Sequence, residues 1–384
     1  MRGFLIFFIV FISIYLLSNL YIIIRGISVI PKITVLRTAY AVLIVFFAVS
    51  FFAGRFLRGY SSDILSNFFI QVGSYWLAAV LYITIALLLI DIIRIANHFI
   101  GFIPDLIIAN AASVKKVTAL LVMHGMFLII AAGYFNANNV VVKEIPVRIE
   151  KKAGAIKNLR ALLISDIHLG IMVRRKELQN IVDLANRQNP DIVFLCGDIF
   201  DERVEPVKKF NADELLSAFK SRYGTFAVTG NHEYIGNAEE AVKYMRESGI
   251  TVLRDEAVLI AGAVYAVGRE DLSSRTRGGV KRLPLDEIAN RLDHNRPIIL
   301  MDHQPKNLDE AEAAGVDLQL SGHTHGGQIW PVTYIIKSMW ELPYGYMKRA
   351  ATNFYVTSGA GTWGPRMRIG SDAEIVLINI EFGK

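Results

Sequence analysis

The chain has 384 residues, enough for two domains of ordinary size, and its 53% hydrophobic content is high for a soluble protein. Residues 1–140 hold nine Lys or Arg and only three acids (Asp63, Asp91, Asp105), so the formal net charge of +6 comes wholly from this part. The rest holds 32 basic and 32 acidic side chains. That half exerts no net pull on a polyanion, which removes the case for nucleic acid that the whole-chain charge would make.

Four apolar stretches come first: Phe4 to about Ile24, Thr38 to Phe56, Phe68 to Ile95, and Val117 to Ala137. A helix needs ~20 apolar residues to cross a ~30 Å hydrocarbon core, so each is expected to span a membrane. The first is too long for a cleaved signal peptide, and no small-residue cleavage site follows it. Phe102 to Ala112 is too short to span, with Pro104 and Asp105 nearby, and is expected to lie along the interface or to bury itself in the bundle. His124 is expected to hydrogen-bond a neighbouring helix. Four spans put both termini on one side, and the Lys/Arg distribution favours the cytoplasm by a small margin.

From Asn139 the character changes. NVVVKEIPVRIE alternates and is rich in β-branched residues, as a strand would be, after a short polar link at residues 136–139. The boundary is therefore drawn between a transmembrane domain, 1–138, and a second domain, 139–384. A pattern then recurs: a short apolar run, a polar motif, a helix-like segment. ALLI precedes SDIHLG, DIVFLC precedes GDIFDE, GTFAVT precedes GNHEY, RPIILM precedes DHQP, and VDLQL precedes SGHTHG. Such runs fit buried strands, and Lys176–Asn189 and Ala238–Ser248 fit helices between them, an α/β layout. The one cysteine, Cys196, lies inside an apolar run and is expected in the core.

Each of those strands ends in metal-binding residue types: Asp166 and His168, Asp198, Asn231 and His232, His303, then His323 and His325. Open α/β sheets place their sites at the carboxyl ends of strands, so these tips are expected to converge. Imidazole and carboxylate without thiolate suit a pair of divalent cations, with manganese expected and iron or zinc as alternatives. Asp198 lies between the other groups in chain order and is the natural bridging carboxylate. Two metals ~3.5–4 Å apart would hold a bridging hydroxide and clamp a phosphoryl group for in-line attack, without a nucleophilic Ser or Cys.

This ordered set, D-x-H, G-D-x-x-D, G-N-H-E, H and G-H-x-H, resembles the calcineurin-like metallophosphoesterase superfamily across about residues 141–384. The resemblance implies a β-sandwich flanked by helices. It implies that Asp166, His168, Asp198 and His325 hold one metal, and that Asp198, Asn231, His303 and His323 hold the other. His232 would be the catalytic imidazole, with Asp201 and Glu233 orienting it. The pattern often has Arg after the second motif's last Asp, where this chain has Glu202 and then Arg203. GHTHGGQIWP and GAGTWGPRMRIG resemble a membrane-linked bacterial subgroup, some of whose members hydrolyse UDP-2,3-diacylglucosamine. The four spans joined to such a domain are also similar to animal transmembrane metallophosphoesterases.

Arg366 and Arg368 in the glycine-rich segment, and Arg275 in EDLSSRTRGG, are candidates for substrate phosphate, with solvated turns the plainer alternative. The aromatics of SMWELPYGYMK are candidates for acyl chains or for the bilayer interface, with core packing the alternative. The expected protein is a multi-pass membrane enzyme that hydrolyses phosphoester or pyrophosphate bonds in an amphiphilic, lipid- or nucleotide-linked substrate. A bilayer is its expected partner, with no nucleic acid and no obligate protein. A phosphoprotein phosphatase or nuclease, or a non-catalytic membrane receptor retaining the metal site, are the other readings.

Overall fold

The computed structural model describes residues 2–58 and 63–383. The chain divides into two compact units, Met1–Ala132 and Gly133–Lys384. The first contains α1 (Arg2–Ile27), α2 (Thr34–Leu57), α3 (Asp63–Ile100), the short α4 (Asp105–Ala109) and most of α5 (Ala111–Asn138). Four of these helices, all but α4, are long and apolar enough to cross a membrane. Gly73 of α3 lets α2 approach closely, since a Cβ there would sit 2.1 Å from the backbone nitrogen of Phe51. Some buried polar groups inside this unit are paired, while Ser74 Oγ, Tyr82 Oη and Thr84 Oγ1 have no hydrogen-bond partner among the described residues. Trp76 Nε1 donates to Asn19 Oδ1 at 2.9 Å, and the Tyr15 hydroxyl donates to the carbonyl of Ala48 at 2.8 Å.

One expectation for this unit fails and another narrows. Residues 104–112 are exposed, which leaves the interfacial placement of the two expected. Among the described residues no hydrogen bond joins His124 to a neighbouring helix. Its Nδ1 lies 3.0 Å from the carbonyl of Leu120, one turn back on its own helix, which is the acceptor nearest to an outward-facing ring.

The second unit contains two six-stranded mixed sheets. One has the order β1 (Val141–Ile149), β12 (Glu374–Phe382), β2 (Asn158–Ile164), β3 (Ile192–Cys196), β4 (Thr225–Val228), β5 (Thr251–Val252). The other has the order β10 (Gly345–Arg349), β11 (Thr352–Val356), β9 (Leu318–Ser321), β8 (Ile298–Met301), β7 (Val264–Gly268), β6 (Glu256–Ile260). The central strands β2–β3–β4 are parallel, as are β7–β8–β9.

Side-chain alternation builds the layers. Ala161 and Leu163 of β2 face the interior shared with Ile299, Met301, Leu318 and Leu320 of the other sheet. Leu162 and Ile164 point the other way, onto α6 (Arg175–Arg187) and its neighbours Leu178, Ile181 and Val182. Both faces are apolar, so these strands read as continuous hydrophobic runs. Cys196 is fully buried in the inter-sheet core. The short helices α7 (Glu205–Lys208) and α8 (Ala212–Leu216), then α9 (Asn231–Ile235) and α10 (Ala238–Glu247), follow β3 and β4. Helices α11 (Leu285–Ala289), α12 (Leu308–Ala313) and α13 (Val332–Met339) belong to the second half. The outer face of the second sheet packs on α11 and α12 through Leu285, Ile288, Leu308 and Ala311.

The junction differs from the expected polar link. Helix α5 continues to Asn138, and only two residues precede β1. The amide of Asn138 donates to the carbonyl of Tyr134 at 2.6 Å, and that of Asn136 to the carbonyls of Arg368 and Ser371 at 3.3 and 3.1 Å. Polar side chains spent on the fold do not need to end the helix.

Candidate metal centre

The loops after β2, β3, β4, β8 and β9 bring together the strand-tip residues singled out from the sequence. Asp166, His168, Asp198, His323 and His325 all adopt left-handed backbone conformations, with φ between 51° and 70°. Five such non-glycine residues at one site are costly and mark a place the surrounding fold over-determines. Two glycines make the approach possible. A Cβ on Gly230 would lie 2.2 Å from Asp198 Oδ1, and one on Gly322 would lie 2.2 Å from Asp166 Oδ2.

Three overlapping groups of ligand atoms result: Asp166, His168 and His325; His168, Asp198 and His232; Asp198, His303 and His323. The Nε2 atoms of His168 and His325 lie 3.0 Å apart, and Asp166 Oδ1 is 3.5 Å from the latter. Asp198 Oδ2 is 3.8 Å from His168 Nε2 and 3.2 Å from His303 Nε2, so one carboxylate faces both clusters. His323 Nδ1 lies 2.7 Å from Asn231 Oδ1.

These spacings fit metal ions. Bonds of ~2.1 Å place neighbouring donor atoms of a tetrahedral or octahedral shell roughly 3.0–3.5 Å apart. The nitrogen chemistry agrees. His303 Nδ1 donates to the carbonyl of Cys196 at 2.8 Å, which leaves Nε2 as the lone-pair nitrogen. That Nε2 is buried and, among the described residues, makes no hydrogen bond, with the Asp198 carboxylate 3.2 Å away. An orphaned imidazole nitrogen aimed at a carboxylate, beside two ring nitrogens facing each other, is an arrangement a cation satisfies. No sulfur joins the set.

The supporting bonds cross between the sheets. The His323 amide donates to both oxygens of Asp166 at 3.0 Å, and the His232 amide to Asp198 Oδ1 at 2.8 Å. His232 Nδ1 lies 2.6 Å from the carbonyl of Asp201 and 3.5 Å from its carboxylate. Burial alone would lower the pKa of His232, but the charge of Asp198 and the hydrogen bonds and charge of Asp201 outweigh it and push it up to about 10. Burial would raise Asp201, yet the imidazoles of His168 and His232, 3.6 and 3.5 Å from its carboxylate, hold its carboxyl well below the usual range. Burial and the charge of His303 push His323 down to about 3, which favours the neutral, ligating imidazole.

The expected role of Glu233 needs correction. Its carboxylate does not touch the imidazole. It accepts the backbone amides of Gly230, Asp198 and Phe200 at 2.7, 3.0 and 2.9 Å, tying the loop after β3 to the loop after β4. Arg368 also differs from expectation. It is fully buried, and its guanidinium donates to the carbonyls of Ser358, Gly359, Gly361 and His325, so it holds the loop behind His325 and is not free for a phosphate. Arg366 pairs with Glu177 at 2.9 Å and bonds Asn138. Arg275 lies on the exposed turn Ser274–Gly278, lining a surface cavity with Lys281 and Arg282. Among the described residues no hydrogen bond or ion pair joins it to the ligand set.

Three neighbours of the site go beyond the sequence reading, which took Trp340 only as a candidate for acyl chains or the bilayer. Trp363 stands 6.4 Å, ring centre to ring centre, from His232, and Trp340 stands 5.2 Å from His323. Glu270 is buried and accepts from Thr229 Oγ1 at 2.8 Å and from the Tyr234 hydroxyl, bracketing Asn231 and His232. Its Oε2 pairs with Arg254 Nε at 2.6 Å. Two acids within GREDLSS, away from the histidine motifs, were the available signal.

Together the two sheets and the carboxylate–imidazole rim define a calcineurin-like metallophosphoesterase domain, the mark of a class of metal-dependent phosphoester hydrolases. The profile of the Calcineurin-like phosphoesterase family matches residues 159–327. An uncharacterised metallophosphoesterase of Campylobacter jejuni is 30% identical over 384 residues, covering 98% of this chain and 99% of that protein. The chain belongs to this family. A Helicobacter pylori relative is 34% identical over 241 residues, 62% of this chain and 63% of its own length. A zebrafish (Danio rerio) transmembrane protein with metallophosphoesterase domain is 35% identical over 273 residues, 68% of this chain and 60% of that protein. The chain thus matches less than two thirds of the length of these last two.

Proposed function

We propose that this protein is a membrane-anchored hydrolase of phosphodiester or pyrophosphate bonds that works with two divalent cations on a lipid-linked or nucleotide-linked substrate. The observation that carries the reading is the convergence of Asp166, His168, Asp198, His303, His323 and His325, with the buried Nε2 of His303 making no hydrogen bond among the described residues. Asp166, His168, Asp198 and His325 would hold one cation. Asp198, Asn231, His303 and His323 would hold the other. When bound, the pair supplies positive charge to the phosphoryl oxygens and lowers the pKa of a water molecule.

The chain's own residues supply the rest. His232 donates a hydrogen bond through Nδ1–H to the Asp201 carbonyl, which leaves protonated Nε2 to face substrate and give its proton to the leaving oxygen. Glu233 and Glu270 hold the backbone that carries it. Water is the attacking group in this reading. Ser165 Oγ is committed to the Cys196 carbonyl, Thr229 Oγ1 to Glu270, and burial pushes the Cys196 thiol well above its ordinary range.

Four apolar helices support membrane anchoring. The two-residue link between α5 and β1 supports a site that works close to the bilayer. The Lys/Arg distribution favours a cytoplasmic domain, and the resemblance of GHTHGGQIWP and GAGTWGPRMRIG makes UDP-2,3-diacylglucosamine one candidate substrate. Full-length protein loaded with Mn²⁺ should cleave bis-p-nitrophenyl phosphate, and Asp198→Ala should nearly abolish the reaction. Equal rates in wild type and Asp198→Ala would refute the assignment.

A further inference from the structure

Helix α13 turns its apolar side chains outward. Only Thr333 of the helix is buried, while Tyr334, Ile335 and Met339 are 64%, 57% and 65% exposed. Trp330 and Trp363, on the adjoining turns, are 42% and 54% exposed. Exposed apolar side chains scattered singly need no explanation, but five gathered on adjoining turns mark an interaction surface. The face is rigidly built. Gln328 accepts from the Trp363 amide at 3.0 Å and donates to its carbonyl at 2.8 Å, and the Trp330 amide donates to the carbonyl of Ile369 at 2.7 Å.

The same loop is fastened to the last turn of α5. The Arg368 amide donates to the carbonyl of Gly133 at 2.9 Å, Asn136 donates to the carbonyls of Arg368 and Ser371, and Arg366 bonds Asn138. Helix α5 is one of the four helices long and apolar enough to cross a membrane. A face of Trp, Tyr, Ile and Met held to the end of such a helix has the composition of the membrane–water interface, where tryptophan and tyrosine concentrate. Lys337, whose ammonium lies 6.0 Å from the Tyr334 ring centre, adds a cation suited to phosphate headgroups.

We propose that the α13 face, with Trp330 and Trp363, inserts into the headgroup–acyl boundary of the bilayer and lets the metal centre take its substrate directly from the membrane. Trp363, itself part of this face, stands beside His232, and Trp340, the residue after α13, stands beside His323. A lipid-linked phosphoester can keep its chains in the bilayer while its phosphate reaches the histidines. The inference rests on the hydrolase reading for its use, but its test needs no turnover.

The test is nitroxide labelling of Ile335→Cys and Met339→Cys, each in the full-length chain reconstituted into vesicles of phosphatidylcholine and phosphatidylglycerol. Cys196 is fully buried and does not compete for the label. Both labels should collide with oxygen in preference to a water-soluble nickel chelate. A label at Lys243→Cys, on the exposed face of α10, should show the reverse preference. Labels at 335 and 339 that behave like the one at 243, or that are shielded from both reagents as in a protein contact, would overturn the proposal. Loss of the hydrolase reading would instead appear as absent phosphodiester cleavage with the label pattern intact.

Discussion

His232 and Asp201 are joined twice, by a 2.6 Å contact from the imidazole Nδ1 to the backbone carbonyl and a 3.5 Å approach to the carboxylate. The carbonyl fixes which nitrogen faces the site, and the carboxylate adds charge behind it. These two jobs separate by mutation. His232→Asn should lower kcat by ~10²–10⁴, the usual weight of a general acid, with metal content unchanged by mass spectrometry. Asp201→Asn keeps the carbonyl and should cost less, with the alkaline limb of the pH–rate profile, where the general acid loses its proton, displaced to lower pH. Equal losses from the two variants would argue against this division.

The protonation of His232 gives a pH prediction for the metal-free protein. Its folded pKa of about 10 lies above the 6.5 of an unperturbed imidazole. The stabilisation it contributes is therefore fully present below pH 6.5 and is lost as pH rises through 10. Histidine NMR of chelator-treated protein should show the His232 imidazole still protonated well above neutrality, with its signal absent in His232→Asn; His303, whose burial is outweighed by the charge of Asp198, should stay protonated in both. Titration of every imidazole below neutrality would contradict the charge balance described.

Glu233 is expected to matter for stability before chemistry. Its carboxylate satisfies three buried amides, and hydrogen bonds to a charged group contribute roughly 1.5–3 kcal/mol each. Glu233→Gln keeps one acceptor oxygen and should destabilise the domain by about 2–4 kcal/mol in urea melts, with lower metal affinity because the Asp198 loop loosens. An unchanged melting curve would show that the loops do not depend on this carboxylate.

Metal binding should stabilise the folded chain by mass action. Saturating Mn²⁺ at ~100 times its dissociation constant adds about 2.7 kcal/mol per site. The melting temperature of wild type should rise with Mn²⁺ and fall with chelator, while His303→Ala should lose much of that response. A wild-type protein indifferent to both would exclude a site built from these residues.

Most of the centre was legible in the sequence because the same local device recurs. An apolar run buried on both faces makes a strand, and the polar residues after it have nowhere to go but the rim. That logic found the residues after β2, β3, β4, β8 and β9. It misassigned Glu233, because a residue following His232 on a one-turn helix points back at the loop amides, which spacing does not reveal. It misread Arg368, because burial of an arginine among carbonyls depends on a loop closing around it. The Trp363 and Glu270 contacts are tertiary and leave no periodic trace. At the junction, Asn136 and Asn138 look like a linker by composition, but their amides find acceptors within the fold and the helix runs on.

The most direct test is metal stoichiometry and phosphodiester hydrolysis measured on one purified preparation of the full-length chain. The preparation should hold about two Mn²⁺ per chain, with turnover that falls in step with metal removal and returns with Mn²⁺, and both should be lost in Asp198→Ala. Undiminished hydrolysis by a thoroughly chelated, metal-free preparation would contradict it.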